Sequence, residues 1–122
     1  MIRLLIFKMI FLVSLIAVVI FSFFSDTHDF ADPIQMKDLV SKGALLLDVR
    51  SLSEFKSGHI RGAVNIPVDE IQDKMGEVVA KDKNIVVYCH SGTRSARAQK
   101  ILQNKGYLHV YNLGGIRRWP HK

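Results

Sequence analysis

The chain has 122 residues, 48% of them hydrophobic and 23% charged, with a formal net charge of +6. That is enough for one domain, and its single cysteine excludes an internal disulfide and argues against a structural zinc site. The positive charge is scattered, with no basic stripe interleaved with aromatics, so it suits small anions rather than nucleic acid.

Residues 1–25 hold two basic and no acidic residues, which leaves 15 basic against 11 acidic, a net +4, for the rest. Met9 to Phe24 is a run of 16 uncharged residues. As a helix that run is about 24 Å long, short of a hydrocarbon core of about 30 Å. Extending it back through Ile2 to Lys8, with Lys8 snorkelling to the interface, completes a span. No polar face interrupts it, which argues against an ordinary buried soluble helix. Residues 1–25 are therefore read as a membrane anchor or signal peptide. The anchor is favoured because Phe21, Phe23 and Phe24 crowd the end where cleavage needs small residues, and Ser25 at −1 would leave Phe23 at −3. Arg3 and Lys8 precede the run, and Asp26, Asp29 and Asp32 follow it, which turns the rest of the chain away from the cytoplasm. In a bacterium this means an inner-membrane protein facing the periplasm or exterior, or a periplasmic or secreted protein if the segment is cleaved.

Residues 26–32 read as a polar linker and 33–122 as the folded domain. Asp32 is placed to cap a helix that starts at Pro33, carries an apolar stripe of Ile34, Leu39 and Val40, and closes at Gly43. Ala44–Val49 predicts a strand, Ser53–Ser57 one helical turn, and Ala63–Pro67 a short strand. Asp69–Val79 predicts a helix with Ile71, Met75, Val78 and Val79 inward, and Lys81–Asn84 a turn. His109–Leu113 predicts a last strand and Ile116–Trp119 a short final helix. Strands alternating with helices at this spacing predict a small, mainly parallel α/β sheet flanked by helices.

The stretch from Ile85 to Leu102 carries the chemistry. Ile85-Val86-Val87-Tyr88 is short and β-branched, which predicts a buried strand running into Cys89. A polar loop, His90 to Arg94, follows. Then comes a helix with Ser95 as expected N-cap and Ala98, Ile101, Leu102 and Lys105 at helical spacing, stopped by Gly106. Strand, tight loop and helix aim backbone N–H groups and a helix N-terminus at one point, near the carboxyl end of a strand. A thiol there is expected to ionise below its free value of about 8.5; the alternative is an inert buried thiol at a strand end. Arg94 and Arg97 supply positive charge, and His90 adds more when protonated. The five histidines show no metal-ligand spacing, and no metal or organic cofactor is called for.

Several motifs in order resemble rhodanese domains. Leu47-Asp48-Val49-Arg50, Glu54-Phe55 and Gly58-His59-Ile60-Arg61-Gly62-Ala63-Val64-Asn65-Ile66-Pro67 are similar to the family's opening signature. Ile85 to Cys89 with Gly92, Arg94 and Ser95 resembles its active-site loop, and Gly106-Tyr107, Leu113-Gly114-Gly115 and Trp119 its closing motif. The resemblance covers about Ile34 to Trp119 and implies the three-layer rhodanese fold. It also implies a sulfurtransferase in which Cys89 takes sulfur from thiosulfate or a similar anionic donor and passes it to cyanide or another thiophile. The backbone N–H groups of His90, Ser91, Gly92, Thr93, Arg94 and Ser95 would then cradle the persulfide and the donor, with Arg94 at the basic position closing the loop. Asp48 and Arg50 are read as a buried structural ion pair, His59 as a turn fixer and Trp119 as a core lid; His90 is open to a substrate-facing or solvent-facing role. The chain departs from the family where Pro120-His121-Lys122 follows the tryptophan instead of a further Gly-x-Pro, which bears on the pocket's outer wall. The rival readings are a non-enzymatic sulfide carrier or redox-sensing module, and a Cys-dependent phosphatase or arsenate reductase. The last is disfavoured because four residues, not five, separate Cys89 from Arg94. The sequence specifies no oligomeric state.

Overall fold

The computed structural model describes residues 1–24, 29–77 and 79–121. Ser25 to His28 lie outside the described residues, as does Val78, one of the side chains expected to point inward.

Three apolar runs become the strands β1 (Leu45–Asp48), β3 (Asn84–Cys89) and β4 (His109–Gly115), joined by the two-residue β2 (Val64–Asn65). The sheet is four-stranded and parallel throughout, in the order β2-β1-β3-β4. A parallel sheet is covered on both faces, which is why its strands read as nearly continuous hydrophobic runs. The period of two along β3 sorts its side chains between two cores. Ile85, Val87 and Cys89 join Leu47, Ile71, Met75, Ala98 and Leu102 on one face. Val86 and Tyr88 join Met36, Leu46, Ile60 and Leu113 on the other.

The helices are α1 (Ile2–Phe24), α2 (Pro33–Ser41), α3 (Leu52–Ser57), α4 (Ile71–Lys74) and α5 (Thr93–Asn104). Within α1, Ile2–Ile20 is long and apolar enough to cross a membrane. Helix α2 starts as expected, with Asp32 Oδ1 accepting from the N–H groups of Ile34 and Gln35, both at 2.9 Å. Its stripe is different: Met36 is buried with Leu39 and Val40 beside it, while Ile34 is exposed. Leu39 lies five positions after Ile34, about 140° around a helix, whereas 36, 39 and 40 share one face.

The helix expected over Asp69–Val79 is broken into α4 and two flanking 3₁₀ turns, Val68–Glu70 and Met75–Glu77. Gly76, about 1 kcal/mol worse than alanine inside a helix, falls where the α-helix gives way. Ile71 and Met75 still reach the core, fully buried. The strand expected over Ala63–Pro67 shrinks to β2, because Pro67 has no N–H to donate and the 3₁₀ turn at Val68 follows at once.

Strand β4 runs two residues past the expected Leu113. Between its pairings Val87 with Asn112 and Tyr88 with Gly114 the register slips by one residue, so Leu113 is the extra residue of a bulge. That bulge steers Gly114 and Gly115 beneath the loop that follows Cys89. A Cβ added at Gly115 would lie 2.6 Å from the His90 carbonyl oxygen, so only glycine permits this approach.

Candidate active site

Cys89 ends β3 and is 1% exposed, with its side chain on the face covered by α5. Helix α5 begins three residues earlier than a Ser95 cap requires. Gly92 holds the cap position with φ +111°, a left-handed conformation that favours glycine, and its side-chain hydrogen has nothing to cap with. The cysteine sulfur takes over part of the work a cap does. The Gly92 N–H donates to Cys89 Sγ at 3.0 Å, and the N–H groups of Ser91 and Ser95 also favour the thiolate. Ser95, buried in the first turn, lies with Oγ 3.5 Å from Sγ and 2.9 Å from the Gly92 carbonyl oxygen. Its single hydroxyl proton bonds that carbonyl while the thiol is protonated, and turning to the sulfur stabilises the thiolate.

Burial in an apolar core pushes the thiol up. The Ser95 hydroxyl and the N–H groups of Ser95, Gly92 and Ser91 outweigh it, and Cys89 settles below its ordinary value. The result is a nearly dry site whose backbone dipoles favour the thiolate, as the strand–loop–helix order predicts.

Arg94, expected as the basic residue that closes the loop, is not a lone cation there. It sits in the first turn of α5 and is clamped to Glu54 of α3 by two parallel bonds, Nη1 to Oε2 at 2.7 Å and Nη2 to Oε1 at 2.9 Å. The side chains are 37% and 36% exposed. The guanidinium holds the Glu54 carboxyl well below the usual carboxylate range, helped by the Ser51 N–H. Glu54 in turn raises Arg94, and the charge of Cys89 adds to that shift, so the arginine's field still reaches the sulfur. Glu54 was not among the predicted site residues. Its signal was local: Ser51-Leu52-Ser53-Glu54 is a capping box, with the Ser51 Oγ accepting from Glu54 N–H at 3.3 Å and Glu54 Oε2 accepting from Ser51 N–H at 3.0 Å. The same carboxylate that caps α3 also positions Arg94.

Asp48 and Arg50 form the buried pair that the sequence suggested. Arg50 Nε and Nη2 bond Asp48 Oδ1 and Oδ2 at 3.0 and 2.7 Å, and Nη2 also donates to the Gly58 carbonyl at 2.7 Å. Asn65 Nδ2 bridges the carbonyl oxygens of Asp48 and Arg50 at 3.0 and 2.9 Å. This ties the ends of β1 and β2 together below the loop. The hydroxyl of Tyr88, the residue before Cys89, accepts from Ile60 N–H at 3.1 Å, and burial pushes that phenol far above its ordinary value.

His59 stacks on Phe55 at 3.7 Å between ring centroids, with Nδ1 2.8 Å from the Phe55 carbonyl oxygen, which fits a turn fixer. It lines a groove of about 530 Å³ with Ile60, Arg61, Ile116 and Trp119, apart from the Cys89 loop. Trp119 packs half-buried against the core of Met36 and Tyr88. Within the loop, His90, Ser91 and Thr93 are exposed while Gly92 and Ser95 are buried.

A profile described as Rhodanese-like domain matches residues 29–122. The chain belongs to that family. This rhodanese-like chain is 38% identical over 72 residues to the thiosulfate sulfurtransferase PspE of Escherichia coli (strain K12), covering 58% of this chain and 69% of that one. It is 41% identical over 80 residues to YqhL of Bacillus subtilis (strain 168), covering 65% of this chain and 63% of that one. The chain thus spans a little under or over two thirds of these relatives' length. The human single-domain sulfurtransferase TSTD1 superposes with a TM-score of 0.67 at 28% identity, over 75% of this chain and 95% of that one. The rhodanese fold goes with this membership.

Proposed function

We propose that this rhodanese-like domain moves sulfane sulfur from a small anionic donor of the thiosulfate class, through a persulfide on Cys89, to cyanide or another thiophile. The observation that carries the reading is the Gly92 N–H on the buried Cys89 Sγ at 3.0 Å, in a loop whose N–H groups lower the thiol.

In the first step the Cys89 thiolate attacks the outer sulfur of thiosulfate. A sulfur–sulfur bond forms, the bond to the sulfonate sulfur breaks, and sulfite leaves with the electron pair. In the second step the thiophile attacks the outer persulfide sulfur, and the thiolate departs as it began. Both donor and nucleophile are anions, so the N–H groups of the loop and the half-exposed Arg94 offset their repulsion. One such preorganised donor is worth about 2.7–4 kcal/mol in comparable sites. Ser95 follows the charge by turning its proton to the sulfur. Cys89 is the nucleophile, and residues 90–95 bind the donor and the persulfide.

Incubation with thiosulfate is expected to add one sulfur atom, ~32 Da, to Cys89, and cyanide to remove it with regeneration of the thiolate. Cys89→Ser abolishes both the mass gain and thiocyanate formation while the domain stays folded. A Cys89→Ser chain that still made thiocyanate would overturn the assignment, since no second cysteine exists. Loading by thiosulfate without turnover would favour a carrier.

The same proposal places α1 across a bacterial inner membrane, with Arg3 and Lys8 on the cytoplasmic side and the domain outside. Protease added to intact spheroplasts then digests the domain. Digestion only after lysis would reverse the orientation, and a mature form lacking residues 1–25 would replace the anchor with a signal peptide.

A further inference from the structure

The segment just after the membrane-type helix lies on the loop that holds Cys89. Ala31 N–H donates to the Asn112 carbonyl of β4 at 2.8 Å, and the Ala31 carbonyl accepts from Arg118 Nη2 at 3.1 Å. The Arg118 guanidinium also stands over the Phe30 ring, 5.2 Å from its centroid. So held, Phe30 occupies the space that side chains would need at two glycines. A Cβ at Gly92 would overlap its ring, and one at Gly114 would lie 3.0 Å from it. The same Cβ at Gly92 would sit 3.5 Å from the Gly114 Cα. One ring therefore packs on the backbone of the catalytic loop and of the bulged end of β4 together.

We infer that Phe30 is a positioning residue for the sulfur-transfer site: its ring clamps Gly92 against Gly114 and thereby keeps the Gly92 N–H aimed at Cys89 Sγ. This rests on the reading of Cys89 as the nucleophile. Glycine has no side chain with which to fix its own peptide plane and loses more freedom than any other residue on being ordered. Yet Gly92 supplies a hydrogen bond to the sulfur that a small peptide rotation would misdirect, and such bonds weaken steeply away from linear geometry. A rigid ring from another part of the chain supplies the constraint. It also shields one flank of the loop from water, where a drier surrounding strengthens the dipole–thiolate attraction.

The test uses the full chain in detergent, reading the pH midpoint of Cys89 alkylation by iodoacetamide beside sulfur uptake from thiosulfate. The charged groups around the thiol are Arg94 of α5 with its partner Glu54 of α3, the Asp48–Arg50 pair at the end of β1, His90 in the loop and Arg118 after β4. Phe30→Ala removes none of them. It is expected to raise the alkylation midpoint by at least about half a pH unit, and so to cut the thiolate fraction below the midpoint about threefold. Phe30→Tyr, which keeps the ring, retains the wild-type midpoint. Phe30→Leu, which keeps bulk if alanine does not fold, gives a smaller rise in the same direction. An unchanged midpoint in a folded Phe30→Ala or Phe30→Leu chain, with only a lower melting temperature, would overturn the inference and leave Phe30 as packing. A rise in Arg118→Gln but not in Phe30→Ala would transfer the role to the cation and overturn it as well. If the wild type takes no sulfur but Phe30→Ala still shifts the midpoint, the sulfurtransferase reading fails and the positioning role stands.

Discussion

Two acid–arginine pairs flank the catalytic strand, and they do different work. Asp48–Arg50 joins residues two apart at the end of β1 and is 0% and 7% exposed. Glu54–Arg94 joins residues 40 apart, from α3 to α5, and is 36% and 37% exposed. The first is a truss. It is fully hydrogen-bonded to its own backbone, to Gly58 and, through Asn65, to β2, and neither partner is free to meet a ligand. The second is open enough for its arginine to face an anion, and the carboxylate fixes where that arginine points. Burial, rather than residue type, separates a structural pair from a site pair. An isolated charge left in the core is costly, whereas one left half in water is cheap.

The largest effect should come from breaking the truss on one side. Asp48→Ala leaves the Arg50 guanidinium buried without its carboxylate, which is expected to cost roughly 3–5 kcal/mol. Thermal unfolding of the full chain in detergent measures this, and a loss near that of a surface substitution would erase the distinction between the pairs.

Arg94→Ala should do the reverse. Its stability loss is expected to stay below about 1 kcal/mol, as for other half-exposed pairs. Its turnover with thiosulfate falls at least ~10-fold, equivalent to about 1.4 kcal/mol of transition-state stabilisation. Unchanged turnover at every thiosulfate concentration would remove Arg94 from the site.

Glu54→Gln sharpens the same point. Glutamine keeps the capping box, because its amide oxygen still accepts from the Ser51 N–H, so stability is expected to fall by less than about 1 kcal/mol, and turnover falls less than in Arg94→Ala because the cation remains. The pH dependence follows from the direction of the shift. Glu54 is held below its unfolded value, so its contribution is fully present above about pH 4.3 and is lost as pH falls through the folded value. Glu54 should therefore add no limb to the pH profile above about pH 5, and Glu54→Gln should leave the shape of the wild-type profile there unchanged. A new acid limb above pH 5 would show that Glu54 titrates where it should not.

The smallest effect belongs to a third pair. Arg97 reaches Asp69 at 3.0 Å, but the side chains are 61% and 79% exposed. Arg97→Ala is expected to change stability by less than about 0.5 kcal/mol and to leave turnover intact. An activity loss comparable to that of Arg94→Ala would mean that the second arginine of α5 also meets the donor.

Features that depend on neighbours along the chain are legible in the sequence. Alternation along Ile85 to Cys89 puts the thiol on the α5 face, the strand–loop–helix order aims N–H groups at it, and Asp32-Pro33 starts α2. Dihedral preferences and side-chain period act over a few residues, so they can be read from a few residues. The N-cap of α5 is Gly92 rather than Ser95: a cap's usual signal is a side-chain oxygen, and here the sulfur of Cys89 accepts from the loop instead. Tertiary structure decided the rest: that Arg94 is clamped by Glu54, that the bulge at Leu113 brings Gly115 under His90, and that Phe30 rests on Gly92 and Gly114. Each of these joins segments many residues apart. Such contacts are fixed by how the helices and strands pack, and no local propensity encodes them.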